Sequence, residues 1–171
     1  MDIKVVEKPD FIKAEKEALR VLDENFIQAP PIPVRDLLEF AGLGIIESEF
    51  EDGGISGVIN LETKYLYINT NDSFERKRFT IAHEFGHWVL HKSQMELNKE
   101  IAIFYRKSIG IEENIWEQEA NCFAANLLVP EHMLKEFIAE NKDGLISDAK
   151  LAELFEVSRP VIGYRRKFLG I

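Results

Sequence analysis

His83-Glu84-Phe85-Gly86-His87 form an HExxH pattern inside a helix-forming stretch, and this pattern limits what the chain can fold into. Histidines four apart stand one turn above one another on the same helix face, with roughly 5–6 Å between Cβ atoms. Both imidazoles can reach one ion between them. A Zn²⁺ held by two neutral nitrogens still needs a third protein ligand, so a second element must pack against this helix. Zinc lowers the pKa of a bound water from 15.7 to about 7, and Glu84, beside the first histidine, can take the proton as that water attacks a carbonyl. The bland alternative is a pair of core histidines satisfied by backbone groups, with Glu84 incidental.

The surroundings favour the metal. Asp72 and Glu75 read as a capping box with Asp72 as N-cap, and residues 74–91 continue as helix through the motif. Metzincin chemistry would require Gly and His where this chain has Leu90 and Ser93, so that class is excluded. A glutamate from a second helix is the other common solution. Residues 115–129, ending before Pro130, read as that helix. Glu117 and Asn121 share one of its faces, so the carboxylate could bind zinc while the amide holds a ligand histidine. Glu119 lies about two positions round the helix, reads as solvated, and is the fallback ligand. His91 extends the 83–87 stripe by a turn and reads as a histidine behind the ligands or in the core.

Residues Arg78 to His91 and Glu117 to Pro130 resemble the two signature blocks of the ImmA/IrrE metallo-endopeptidases. Gly57-Val58-Ile59 and Tyr67-Ile68-Asn69 are also similar to that family, and the resemblance spans about residues 30–171. It implies zinc ligands His83, His87 and Glu117, a catalytic Glu84, and Zn²⁺ as cofactor with Mn²⁺ as a substitute. It also implies a specific substrate, often a helix-turn-helix (XRE-type) repressor or antitoxin.

The remaining sequence fits a single domain of α+β class over residues 1–171, mostly helical. A chain of 171 residues can bury about 70% of its unfolded surface. Helices are expected over residues 9–27 and up to Ala41, where Gly42 stops the second. Strands are expected over 45–50, 56–60 and 65–69, as a three-stranded antiparallel meander before the HExxH helix. Its edge could hold a peptide in extended form. Residues 92–112 give no clear element, although Tyr105-Arg106-Lys107 suit the border of a cleft. Tyr65, Tyr67 and Tyr105 are candidates to stabilise an oxyanion.

The N-terminal residues lack the apolar core of a signal peptide, and no apolar run approaches the ~20 residues of a membrane span. The single cysteine, Cys122, permits no internal disulfide and suits a reducing, cytoplasmic compartment. It points away from the proposed zinc face and reads as a small buried residue. His132 reads as an exposed residue at a helix start.

A net charge of −9 argues against a chain that binds nucleic acid over its whole surface, and does not forbid a basic protein partner. Residues 145–171 do resemble a helix-turn-helix with a basic second helix. Glu156 sits where glycine is usual, however, and Pro160 and Gly163 leave few side chains to read bases. Packing of Leu151, Leu154, Phe155, Val161, Ile162 and Phe168 onto the domain is preferred. The competing functions are therefore a DNA-binding regulator acting through 145–171, and a non-cleaving or toxin–antitoxin binding partner on the same zinc fold.

Overall fold

The computed structural model describes residues 8–51, 54–97, 115–141 and 146–171. Among these, helices α1 (Phe11–Glu24) and α2 (Val34–Phe40) precede strands β1 (Gly44–Ser48), β2 (Gly57–Asn60) and β3 (Tyr65–Asn69). Then follow α3 (Phe74–Leu97), α4 (Ile115–Leu128), α5 (Glu131–Glu140), α6 (Asp148–Phe155) and α7 (Arg159–Leu169). The fold is α+β and mostly helical, as expected.

The core forms around α3. Helix α4 packs along it, and α1 packs on α4 through a stripe of Ala14, Ala18, Val21 and Leu22. That i, i+4, i+7, i+8 spacing is one helical face, and the alanines let the helices approach closely. Helix α2 closes another side of α3 with Val34, Leu37 and Leu38. Gly86 sets the α3–α4 approach. A Cβ there would stand 3.0 Å from the Phe123 ring and 3.2 Å from both the Cα and the carbonyl oxygen of Ala120.

The start of α3 differs from expectation. Ser73, rather than Asp72, caps the helix: its hydroxyl accepts from the Arg76 N–H at 3.2 Å. Glu75 therefore falls one position too early to complete a capping box.

The sheet is not a meander. Its order is β1-β3-β2, with β3 parallel to β1 and antiparallel to β2. β3 takes the middle because Leu66 and Ile68 are fully buried, and a central strand pairs both of its backbone edges. The turn after β2 is tight: the Asn60 side chain accepts from the N–H groups of Glu62 and Thr63. β1 and β2 instead lie on opposite edges of β3, about 10 Å apart. β2 is left as an edge strand against α3.

The C-terminal residues form two helices joined by a short turn. Ser147 caps α6, which ends on Glu156 in the left-handed region (φ 52). Leu151, Phe155 and Ile162 are fully buried, and Leu154 and Val161 pack against the core. Phe168 departs from the expected packing: it is half-exposed, with Tyr164 stacked on it at 6.2 Å. Two arginines tie this segment down. Arg78 of α3 donates to the carbonyls of Ile32 and Glu156, each at 2.9 Å, and pairs with the Glu156 carboxylate at 3.3 Å. Arg165 turns inward and donates to the Val129 carbonyl.

Candidate metal centre

Helix α3 presents His83 and His87 toward α4, and α4 presents Glu117 and Asn121 back. The Nε2 atoms of His83 and His87 are 3.1 Å apart. Each lies 3.1 Å from a different oxygen of the Glu117 carboxylate. One donor atom from each residue can therefore face a common point. Around a tetrahedral zinc with bonds near 2.0–2.1 Å, neighbouring ligand atoms stand about 3.3 Å apart. The two nitrogens, and each nitrogen with its own carboxylate oxygen, stand near that spacing, so the residues fit a three-ligand site with one position left open.

The electrostatics agree. Burial alone would raise the Glu117 carboxyl, but hydrogen bonds from His83 and His87 hold it well below the usual carboxylate range. Burial disfavours the charged form of His83, yet the Glu117 hydrogen bond and the Glu84 charge outweigh it and lift its pKa above the ordinary value. The cluster is thus a carboxylate that favours positive charge beside it.

Behind His83, Asn121 Oδ1 lies 2.9 Å from Nδ1. The amide oxygen can only accept, so Nδ1 carries a proton, and Nε2 is the nitrogen a metal would take. Behind His87, Nδ1 lies 3.1 Å from Nδ1 of His91, and His91 Nε2 lies 2.8 Å from Glu119 Oε2. The other Glu119 oxygen accepts from the backbone N–H of Asp10 at 2.7 Å. The Trp116 ring stacks on His91 at 4.8 Å and 6°. Burial first, then the neighbouring charges of His87 and Lys13, push the His91 pKa down to about 3.

Glu119 is therefore neither solvated nor a fallback ligand; it is 9% exposed and fully engaged. The spacing contained a signal for this. Glu119, Cys122, Phe123 and Asn126 fall at i, i+3, i+4 and i+7, one stripe of α4, and all four are buried. Cys122 behaves as a small buried residue, its thiol facing the Phe11 carbonyl at 3.8 Å. His132 is exposed in the first turn of α5.

Glu84 faces the sheet. Its Cγ lies 3.5 Å from where a Cβ on Gly57 of β2 would stand, and that Cβ would be only 2.4 Å from Thr80. Glycine in this strand marks a close approach of backbone to the helix, which brings the β2 edge beside Glu84. Tyr65 lies over Gly44, against β1 rather than β2. Tyr105 and the rest of 98–114 lie outside the described residues.

This arrangement, two histidines and a glutamate on crossed helices with a second glutamate beside an edge strand, is that of an HExxH metallopeptidase domain. Residues 39–167 match the peptidase M78 family, described as the IrrE N-terminal-like domain. The chain is 31% identical over 155 residues to the radiation response metalloprotease IrrE of Deinococcus radiodurans, which covers 90% of this chain and 46% of that protein. It is 29% identical over 108 residues to the metallopeptidase ImmA of Bacillus subtilis, covering 63% of this chain and 59% of the relative. The chain thus spans about half the length of the curated relatives it matches. A solved structure described as a Mycobacterium tuberculosis transcriptional regulator shares the fold at a TM-score of 0.66 and 15% identity, over 90% of this chain and 55% of its own. The chain belongs to the ImmA/IrrE metallopeptidase family.

Proposed function

We propose that residues 1–171 act as one zinc-dependent endopeptidase unit that cuts a peptide bond in a specific regulatory protein, a helix-turn-helix (XRE-type) repressor or an antitoxin, in the cytoplasm. One observation carries the reading: the Nε2 atoms of His83 and His87 lie 3.1 Å apart and each 3.1 Å from an oxygen of Glu117, with Glu84 beside them at a sheet edge. His83, His87 and Glu117 would hold the metal. When bound, zinc supplies Lewis acidity toward a carbonyl and makes water a nucleophile near neutral pH. Glu84 takes the water proton on its carboxylate and passes it to the leaving amine. The β2 edge beside it suits an extended segment of substrate, held by strand addition.

The charge supports a protein substrate. A −9 chain attracts a basic DNA-binding protein better than it attracts DNA. The basic residues of α7 add little to a DNA-reading role, since Arg165 is buried and Arg166 is engaged by Asp148 and the Ile146 carbonyl.

Co-expression with a candidate helix-turn-helix regulator, followed by intact-mass analysis, tests the reading. One site-specific cut is expected, abolished by Glu84→Gln with zinc retained. Stable complex formation with no cut, with zinc or manganese supplied, would instead establish a non-cleaving partner. Efficient degradation of casein would contradict a specific substrate.

A further inference from the structure

We propose that His91 and Glu119 are positioning residues for the metal: a relay from His87 through His91 and Glu119 to the Asp10 N–H holds His87 in the one tautomer that can bind an ion. This inference rests on the metal-centre reading above and extends it beyond the three ligands.

Donor and acceptor chemistry fixes the Glu119 end of the relay, and a metal on His87 fixes the other. Asp10 N–H can only donate and the Glu119 carboxylate can only accept, so the far end of the relay is fixed. The second carboxylate oxygen, 2.8 Å from His91 Nε2, requires a proton on that nitrogen. A metal on His87 Nε2, which faces His83 and Glu117, leaves that ring's one proton on Nδ1. His91 Nδ1, 3.1 Å away, is then the acceptor, and His91 carries its own proton on Nε2 toward Glu119. Reversing any link would place a proton on His87 Nε2, where the metal has to bind.

The surroundings hold this order in place. His91 is 2% exposed and Trp116 lies parallel to its ring, so the ring cannot flip without breaking the stack. Water has little access to substitute for either partner. Asp10 is the N-cap of α1, so Glu119 also places its negative charge at the positive end of that helix. That last donor lies outside residues 39–167, the span matched by the family. The N-terminal helix of this chain is therefore coupled to the metal centre, three hydrogen bonds from His87.

The other ligand histidine is oriented by a single amide, Asn121, which is exposed. The two ligands thus differ in kind: His83 is backed by a replaceable neutral group at the surface, and His87 by a buried chain that ends on a charge. Partners of this sort typically matter by roughly 10- to 100-fold in metal affinity.

Chelator competition on the full chain tests the proposal, with zinc as the probe. Glu119→Ala should weaken zinc binding by roughly 10- to 100-fold, and Glu119→Gln, which keeps an acceptor for His91, by less. Nitrogen-15 histidine spectra of the zinc-loaded wild type should show His91 protonated on Nε2 and bare on Nδ1. That readout needs no variant and stands even if Glu119→Ala fails to fold. A His91 protonated on Nδ1 overturns the relay, as does zinc affinity in Glu119→Ala within about twofold of wild type, well short of the expected loss. Full zinc occupancy in His83→Ala/His87→Ala would overturn the metal centre itself, so the two failures are distinguishable.

Discussion

Replacing Gly86 by alanine sets two effects of opposite sign against each other at the centre of the site. In a helix interior alanine is better than glycine by about 0.8–1.0 kcal/mol. Here, however, the new methyl would lie 3.0 Å from the Phe123 ring and 3.2 Å from the Ala120 Cα and carbonyl oxygen. The ring edge can shift by a few tenths of an ångström; the backbone of a packed helix cannot do so without moving α4. Forcing a methyl into such a contact costs about 1–3 kcal/mol, which leaves a net loss of about 0–2 kcal/mol. For a domain of this size that is a fall in Tm of up to about 8 °C. The metal should report the change more sharply than the fold does. His83 and His87 sit on α3 and Glu117 on α4, so any widening of the crossing stretches the 3.1 Å contacts between them. The expected outcome is weaker zinc binding in chelator competition and a smaller zinc-induced rise in Tm than in wild type. A Gly86→Ala protein that melts higher than wild type and binds zinc equally well would refute this account of the crossing.

Metal removal should be visible in stability as well as activity: saturating zinc at about 1,000 times Kd adds about 4 kcal/mol, so chelation should lower Tm by about 8–16 °C, measured by calorimetry. Acid should destabilise the metal-free protein through His91, whose folded pKa of about 3 lies below its unfolded value of about 6.5. Its contribution is present above pH 6.5 and is lost as pH falls toward 3, at up to about 1.4 kcal/mol per pH unit. His83, shifted the other way, contributes below 6.5 and loses its contribution as pH rises, so the two windows do not overlap. Urea melts of metal-free wild type and His91→Gln at pH 5 and 6.5 should differ in slope; equal slopes would count against a neutral buried His91. At the α6–α7 turn, Glu156→Gly should be more stable than Glu156→Ala by about 1 kcal/mol, because only glycine relieves the left-handed backbone. Both variants lose the partly exposed Arg78 pair equally, and the reverse order in thermal melts would contradict this.

The parts of the site that were legible in sequence are those carried by one helix at a time. The i, i+4 spacing of His83 and His87, and of Glu117 and Asn121, fixes which face each pair shares, whatever packs against it. The stripe that Glu119 shares with Cys122, Phe123 and Asn126 points it inward, but its partner, the Asp10 N–H, comes from a third helix that the spacing within α4 does not reveal. Gly57 read as a strand residue, and its close approach to Thr80 and Glu84 exists only once β2 lies against α3. Strand order was hidden for a similar reason. Alternation says which residues face inward, and is silent on whether β1 pairs with β2 or passes it to reach β3.

Arg78 stands five residues before His83 on the helix that carries His83 and His87, and one guanidinium joins it to two distant segments, at Ile32 and Glu156. The C-terminal pair of helices is thus a brace on α3. A chain shortened before α6 would leave a nearly buried cation without two of its partners and uncover the core that Leu151, Phe155 and Ile162 pack against. Its loss of any activity, DNA binding included, would report a loosened metal helix rather than a missing reading head. Substitution of the exposed Arg159 and Lys167, which touches surface charge alone, separates the two.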